Sequence, residues 1–261
     1  MNIYDAVALG LVQGLTEFLP VSSSGHLVIT ETLLGLSIPG ILVEVTLHVG
    51  TLLSVIIVYR ARIWSLIEGA LRGQADAWRY IGLLVLATIP AGLVGVLFQS
   101  SVESAFDDPA IAGVMLLVTG VILWSTRRTR RPRTRPLPGP LLALGIGVAQ
   151  AFAILPGISR SGSTIAAALW GGVDGEKAAE FSFLMSVPAI AGAAVLELKD
   201  LDVGVQGVGG VPLLVGFLVA LVAGIFAIRF LVWLLRGQRF HVFAYYVWVV
   251  GAAFLAYLAI R

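Results

Sequence analysis

The sequence contains no cysteine and carries little charge. Without cysteine there are no disulfides, thiolate nucleophiles or sulfur-ligated metals. Only 12% of the residues are charged, whereas about a quarter is usual in soluble domains. The 261 residues are 58% hydrophobic, and the mean hydropathy is +0.97. We therefore expect an integral membrane protein.

Six apolar segments come close to the length of about 20 residues that a helix needs to cross the hydrocarbon. They lie at 41–59, 81–99, 109–126, 183–198, 211–235 and 242–260. Residues 1–7 carry no Lys or Arg, so we do not expect a cleavable signal peptide. The pattern predicts an all-α polytopic membrane protein with a single membrane domain, 1–261.

Basic residues are concentrated in one short segment. Its six arginines are Arg127, Arg128, Arg130, Arg131, Arg133 and Arg135. A charge run of this kind is usually a solvated cytoplasmic loop rather than a nucleic-acid or lipid patch. We expect the lipid bilayer as a partner and no nucleic acid.

The chain resembles itself at a spacing of 137 residues. The pairs are Gly10 and Gly147, Gln13 and Gln150, Ser22 and Ser159, Ser24 and Ser161, Gly25 and Gly162, and Gly35 and Gly172. At a spacing of 136, Pro20 pairs with Pro156 and Glu44 with Glu180. Self-similarity at a fixed spacing indicates an internal repeat. We predict a first repeat at 1–126, a basic cytoplasmic connector at 127–137 and a second repeat at 138–261.

Each half begins with a short apolar helix that is interrupted. The breaks are LPVSSSGH at 19–26 and LPGISRSGS at 155–163, and Pro, Ser and Gly end helices or cap new ones. We expect the second helices to begin near Leu27 and Thr164. Each half is then a re-entrant helix hairpin plus three transmembrane helices.

Three spans are an odd number, so the second half is expected to enter the membrane from the opposite face. The result is an inverted repeat with the two hairpins meeting near the midplane. Most Lys and Arg residues would then lie on one face, which the positive-inside rule makes cytoplasmic.

Three ionisable side chains fall at the breaks, namely Glu17 and His26 in the first half and Arg160 in the second. Such groups are costly at membrane depth and are therefore functional candidates. Gln13 and Glu17 are spaced i, i+4 and share one helix face. We predict that these side chains line one cavity.

The serines and glycines of the breaks predict an anion site. Helix N-termini rich in Ser and Gly bind phosphate, and the guanidinium of Arg160 binds phosphate oxygens in a bidentate way. The predicted substrate-binding residues are Gln13, Ser22, Ser24, Gly25, Ser159, Ser161, Gly162 and Thr164.

The chemical roles leave alternatives open. His26 has the range for proton transfer at neutral pH, and Glu17 fits either a general base or a ligand of Mg²⁺ or Ca²⁺. Ser23 fits a nucleophile, with water as the other attacker. The lone histidines His48 and His241 and the acids Glu44 and Glu180 are expected to be structural.

Three segments resemble a known family. They are QGLTEFLPVSSSGH at 13–26, LPGISRSGST at 155–164 and EFSFLMSVP at 180–188, and the similarity covers nearly the whole chain. They resemble the undecaprenyl-diphosphate phosphatases of the bacitracin-resistance type. The resemblance implies hydrolysis of undecaprenyl diphosphate to the monophosphate and phosphate, which recycles the lipid carrier of cell-wall precursors. It also implies dependence on a divalent cation, a bacterial cytoplasmic (inner) membrane and a site that opens to the extracytoplasmic face.

Residue by residue, Gln13 and Glu17 match the first motif of the family. Ser23 matches the proposed nucleophile, His26 the catalytic histidine and Arg160 the phosphate-binding arginine, with Ser159, Ser161 and Thr164 around it. Gln13 stands where many members have a second carboxylate, so Glu17 is expected to ligate the metal alone or together with phosphate oxygens.

A second functional class shares this architecture. Secondary transporters also use inverted repeats with broken helices at the midplane. The alternative is therefore a transporter or flippase for an anionic solute or a polyprenyl phosphate lipid. The prenyl chain-length preference and a homodimer are left open.

Overall fold

The computed structural model describes residues 1–34, 41–128, 134–197 and 209–260. Within these ranges the chain is helical and forms no β-strand, with one isolated bridge between Arg135 and Val173. The all-α fold is confirmed. Twelve α-helices form in the described ranges: α1 (Ile3–Phe18), α2 (Ser23–Leu34), α3 (Ile41–Val58), α4 (Arg60–Leu71), α5 (Ala75–Leu97), α6 (Gln99–Phe106), α7 (Pro109–Ser125), α8 (Pro140–Phe152), α9 (Arg160–Trp170), α10 (Gly175–Glu197), α11 (Gly210–Arg236) and α12 (Phe243–Ile260).

Three of the described helices are long and apolar enough to cross a membrane: 75–97, 210–236 and 240–260. A fourth span is counted if α3 and α4, bent by 73° at their junction, are taken together. Two of the six expected spans, those of α7 and α10, are not among these helices. Helix α7 is apolar but has only 17 residues. Helix α10 begins at Gly175, eight residues before the expected start at 183, and its first turns are charged.

Both hairpins form, but their second helices begin four residues earlier than expected, at Ser23 and Arg160 instead of Leu27 and Thr164. The reason is that Ser22 and Ser159 each accept a hydrogen bond from a backbone N–H three residues later. Such a serine starts a helix where it stands. Ser23 and Arg160 therefore lie in the first helical turns.

The first helix of each hairpin packs on the second span of the other half, because α1 contacts α11 and α8 contacts α5. At these contacts the backbones of the two helices approach each other closely. A Cβ added to Gly10 would lie 2.7 Å from the carbonyl oxygen of Gly216, and one added to Gly147 would lie 2.5 Å from that of Ala87. Small residues allow this close approach between membrane helices. The repeat-related glycines thus make equivalent contacts.

Charged residues tie several helices together at the end of the molecule where α3 gives way to α4. Glu180 on α10 accepts from Arg62 Nε at 2.9 Å, from Lys177 Nζ at 3.0 Å and from the Tyr80 hydroxyl at 3.3 Å. Arg236, at the end of α11, pairs with Glu176 at 2.8 Å. The structural role expected for Glu180 fits these contacts. Part of the connector (129–133), Gly35 and position 198 lie outside the described residues.

Candidate active site

The two breaks lie against each other. Ser161 Oγ donates to the Leu19 carbonyl at 3.2 Å. A Cβ on Gly25 would lie 3.0 Å from the Cα of Gly157, and one on Gly162 would lie 3.3 Å from the Cβ of Pro20. The absence of side chains at Gly25 and Gly162 therefore allows the backbones of the two halves to touch.

Each break is built around the same serine cap. Ser22 Oγ accepts from Gly25 N at 3.2 Å and lies 3.2 Å from Ser24 Oγ. Ser159 Oγ accepts from Gly162 N at 3.0 Å and lies 3.2 Å from Ser161 Oγ. These contacts are repeat-related, so the predicted role of the two Ser-x-Ser-Gly segments in shaping the helix starts matches the geometry.

The left-handed backbone residue differs between the breaks. In the second break it is Gly157, with φ +93°, which a glycine adopts without cost. In the first break it is Ser22, with φ +70°, a conformation that is uncommon for residues with a Cβ. The first break therefore has a strained residue beside the helix that carries Ser23.

The carboxylate of Glu17 is the centre of the site. It is buried, at 7% exposure, and three donors hold it. Gln13 Nε2 donates to Oε2 at 3.0 Å and Ser23 Oγ donates to the same oxygen at 2.6 Å. Arg160 Nη2 donates to Oε1 and forms an ion pair with it. A buried charge of this kind requires such partners, and here they come from both breaks.

A cavity of about 280 Å³ opens beside this cluster. Its polar lining residues are Thr16, Glu17, Ser22, Ser23, Ser24, Glu44, His48, Ser159 and Arg160. Its apolar lining residues are Leu27, Phe106, Ala153, Ile154, Ile158, Ala189 and Ile190. A cavity with both kinds of lining fits a molecule with a charged head and a hydrocarbon tail.

Six of the predicted residues line this cavity: Glu17, Ser22, Ser23, Ser24, Ser159 and Arg160. The other six do not line it, namely Gln13, Gly25, His26, Ser161, Gly162 and Thr164. Gln13 is fully buried and supports Glu17. Thr164 Oγ1 lies 2.6 Å from Ser182 Oγ on α10. These residues can shape the site, but in this structure their side chains do not form its wall.

His26 is not among the residues that line the cavity. Its Nδ1 lies 2.8 Å from the Ser22 carbonyl oxygen, and its Nε2 lies 2.9 Å from the Tyr246 hydroxyl on α12. The two rings are parallel within 5°, with centroids 5.6 Å apart. Since both ring nitrogens have partners, the proton-transfer role of His26 stays a prediction, and the contacts indicate that His26 supports the Ser22 turn.

The second break is supported from α7 instead. Thr119 Oγ1 donates to the Gly157 carbonyl at 2.8 Å and accepts from Ser159 N at 3.1 Å. Thr119 is buried, at 1% exposure. It therefore holds both ends of the turn that leads to Arg160, a role that the motifs did not indicate.

Sequence reasoning also missed two side chains of the cavity wall. Glu44 and His48 were expected to be structural, yet both line the cavity. They are spaced i, i+4 on α3, the same spacing that singled out Gln13 and Glu17. That spacing, together with the repeat-related position of Glu44, was the available signal.

The hydrogen-bond donors around Glu17 leave little room for a metal ion beside its carboxylate. The Glu17 carboxylate already has three donors, one of them a guanidinium that repels a cation, and the described part of the chain holds no group of three or more His, Cys, Asp or Glu suited to a metal. Mg²⁺ is often bound by one or two carboxylates together with substrate phosphates. The residues therefore fit a cation that is also bound by phosphate oxygens of the substrate. They do not supply a full set of protein ligands by themselves.

Comparison with known proteins decides the family. A family model described as "Bacitracin resistance protein BacA" matches residues 6–253. The chain belongs to this family. It is 42% identical over 260 residues to an undecaprenyl-diphosphatase of Carboxydothermus hydrogenoformans, covering 98% of this chain and 97% of the relative. It is 43% identical over 260 residues to one of Rhodopirellula baltica, covering 98% of both chains.

A relative of the same name in Methanobrevibacter smithii is 42% identical over 267 residues, covering 96% of both chains. The resemblance predicted from residues 13–26 and 155–164 is thus confirmed. With its apolar helices, this member of the BacA family is a multi-pass membrane protein.

Proposed function

We propose that the protein hydrolyses undecaprenyl diphosphate to undecaprenyl phosphate and inorganic phosphate. The observation that carries the proposal is the meeting of Glu17, Ser23 and Arg160 at one cavity wall, with residues supplied by both breaks. Relatives named undecaprenyl-diphosphatase align with this chain over almost its full length. The same activity accounts for the recycling of a cell-wall lipid carrier.

Arg160 binds the diphosphate and stabilises the charge that moves during the reaction. One of its terminal nitrogens contacts Glu17, while a guanidinium offers five N–H donors. The remaining donors are therefore free to bind phosphate oxygens. Preorganised positive charge of this kind is the main contribution expected in phosphoryl transfer.

Glu17 accepts the proton of the attacker. Ser23 Oγ already donates to Glu17 Oε2 at 2.6 Å, so attack by Ser23 on the terminal phosphorus needs no rearrangement of that pair. Attack by water beside the same carboxylate is the other route. The family resemblance adds His26 as a proton shuttle, a step that needs the imidazole to leave its contact with Tyr246.

The apolar lining residues of the cavity receive the first part of the prenyl chain. Phe106, Ile154 and Ile190 are among the apolar residues that line the cavity. Burial of hydrocarbon against them contributes about 25 cal/mol for each Å² removed from water. Beyond them the chain continues into the bilayer.

A divalent cation, Mg²⁺ or Ca²⁺, accompanies the diphosphate in this proposal. Glu17 is its expected protein ligand, and Glu44 offers a second carboxylate in the same cavity. The ion would neutralise charge on the phosphate oxygens. Arg160, Glu17 and Ser23 perform the binding and attack described above.

The finer topology is also part of the proposal: two inverted halves, a bacterial cytoplasmic membrane and a site open to the extracytoplasmic side. The cavity is lined by Glu44 in the first turn of α3, whereas the charged cluster around Arg62 and Glu180 lies just beyond the other end of that helix. The positive-inside rule assigns the cluster to the cytoplasm. A homodimer stays a prediction.

The test is phosphate release from undecaprenyl diphosphate by the purified protein in detergent, with Glu17→Gln alongside the wild type. We expect release by the wild type and a loss of about 10³-fold or more in the variant. No gradient exists in detergent, so hydrolysis there separates the enzyme from the transporter. A wild-type protein that binds the lipid but releases no phosphate would contradict the proposal.

A further inference from the structure

Glu44 differs from the other charged residues of the candidate active site. It lies in the first turn of α3, is exposed, and lines the cavity together with Glu17 and Arg160. Its carboxylate has no hydrogen-bond or ion-pair partner among the residues that the structure describes. The cavity therefore contains one carboxylate whose oxygens are available to a ligand.

The Glu17 carboxylate is in the opposite situation. Its Oε2 accepts from Gln13 and Ser23, and its Oε1 accepts from Arg160. A divalent cation on Glu17 would compete with these donors and would lie beside a guanidinium. In the proposed reaction Glu17 also accepts the proton of the attacker, and a carboxylate bound to a cation is a poorer proton acceptor. Two separate carboxylates perform these two tasks better than one.

The charges at the cavity show what a cation would do there. Glu17, Glu44 and Arg160 are the Asp, Glu, Lys and Arg residues among those that line it. Glu17 and Arg160 form an ion pair, so their charges compensate each other, whereas the charge of Glu44 is not compensated. A diphosphate brings more negative charge into the same space, and like charges repel strongly where water is partly excluded. A cation between Glu44 and the phosphate oxygens turns this repulsion into attraction.

We infer that Glu44 is the protein ligand of the divalent cation and that it couples binding of the cation to binding of the diphosphate. The inference rests on the proposed function, which supplies the diphosphate and its cation. It places the cation on α3 instead of on Glu17, the ligand expected from the family resemblance. Phosphate oxygens and water complete the coordination, as is common for Mg²⁺. Glu17 stays paired with Arg160 and available to Ser23.

Coupling of this kind has a measurable sign. If the cation raises the affinity for the diphosphate, the diphosphate raises the affinity for the cation by the same factor. Replacing Glu44 by a neutral residue should reduce both effects. Without any cation, the same replacement should improve diphosphate binding, because it removes a repelling charge. A carboxylate with a purely structural role would show neither change.

The first experiment measures Mn²⁺ binding to the purified protein in detergent by electron paramagnetic resonance. It is done with and without a prenyl methylenediphosphonate, whose bridging carbon cannot be hydrolysed. We expect the analogue to raise the Mn²⁺ affinity of the wild type. Glu44→Gln should weaken Mn²⁺ binding about tenfold or more, since even outer partners of a metal contribute 10–100-fold. Glu17→Gln should keep most of the affinity.

Glu68→Gln is the matched control for the loss of one exposed carboxylate. Glu68 pairs with Arg72 on α4 and is not among the residues that line the cavity. This variant should keep the wild-type affinities for Mn²⁺ and for the analogue. Glu44→Asp keeps the charge on a shorter side chain, so it should retain part of the coupling, and it replaces Glu44→Gln in the comparison if that variant folds poorly.

The second experiment measures binding of the analogue by calorimetry, first in EDTA and then with Mg²⁺. In EDTA we expect Glu44→Gln to bind it more tightly than the wild type does, and Mg²⁺ should improve binding much less in the variant. Wild-type Mn²⁺ affinity in Glu44→Gln would overturn the assignment, and so would an equal loss in Glu17→Gln. These measurements do not involve hydrolysis. A wild type that shows the coupling but releases no phosphate from undecaprenyl diphosphate would overturn the proposed hydrolysis and support the cation site.

Discussion

The two breaks share a scaffold and differ in chemistry. Both have the serine cap, the second serine and the glycine at repeat-related positions. At the same spacing of 137, Glu17 corresponds to Ile154 and Ser23 to Arg160. One half therefore supplies the acid and the hydroxyl, and the other supplies the cation. Two acids or two arginines meeting here would repel each other in a medium where unpaired charge is costly.

The two repeat-related glutamines, Gln13 and Gln150, also differ between the halves. Gln13 donates to Glu17 four residues later. Its repeat mate Gln150 has Ile154 at that position, and neither amide atom of Gln150 has a hydrogen-bond partner within the described part of the chain. The two breaks therefore share the form of the turn, while the ion pair of Glu17 and Arg160 joins one half of the chain to the other.

The turn at each break is also supported by a residue from the other half of the chain. Thr119, on the third span of the first half, holds the second break. Tyr246, on the third span of the second half, holds the first break through His26. The second break has a direct, buried support, whereas the first has an indirect one at a half-exposed tyrosine.

The largest effect is expected from making the second break resemble the first. Arg160→Ser places at 160 the residue that the first break has at 23, and it removes the cation from the site. A transition-state arginine contributes about 10³–10⁵-fold to kcat in phosphoryl transfer, so we expect a loss in this range. Phosphate release by the purified variant measures it.

Arg160→Lys is the matched control, because it keeps the charge but loses the planar fork. Its activity should lie between those of the wild type and Arg160→Ser. Equal activity of wild type and Arg160→Ser would mean that the difference between the breaks has no catalytic meaning.

An intermediate effect is expected from Thr119→Val. The change leaves the Gly157 carbonyl and the Ser159 N–H without their buried partner, and one unsatisfied buried group costs about 1–3 kcal/mol. We expect a lower thermal midpoint in detergent and a moderate fall in kcat, because Arg160 follows this turn directly. Thr88→Val is the control, since the Thr88 hydroxyl donates to the Leu84 carbonyl of its own helix. If the thermal midpoint of Thr119→Val equalled that of Thr88→Val, Thr119 would not support the second break.

The sequence was sufficient for the all-α membrane fold and for the two broken helix pairs, and it singled out Glu17, Ser23 and Arg160, which the structure brings together. These follow from hydropathy, the repeat and the cost of buried charge, all of which are local or periodic signals. Thr119 and Tyr246 could not be found in this way, because their roles depend on which helices pack together. His48 lines the cavity, and its spacing of i, i+4 from Glu44 was a signal in the sequence. The early starts of α2 and α9 were missed because the capping serine stands directly at each break.

The smallest effect is expected from Tyr246→Phe, which tests the weaker support of the first break. The variant keeps the ring beside His26 and removes the hydroxyl that lies 2.9 Å from Nε2. One such hydrogen bond contributes about 0.5–1.5 kcal/mol, and His26 keeps its contact with the Ser22 carbonyl. We expect a fall in kcat of less than about tenfold, with no change in the pH profile. Tyr245→Phe is the neighbouring control, because the Tyr245 ring packs on Trp124 rather than on His26. A loss of activity as large as that of Arg160→Ser would mean that the pair of His26 and Tyr246 takes part in the chemistry. The first break would then contribute catalytic groups in addition to Glu17 and Ser23.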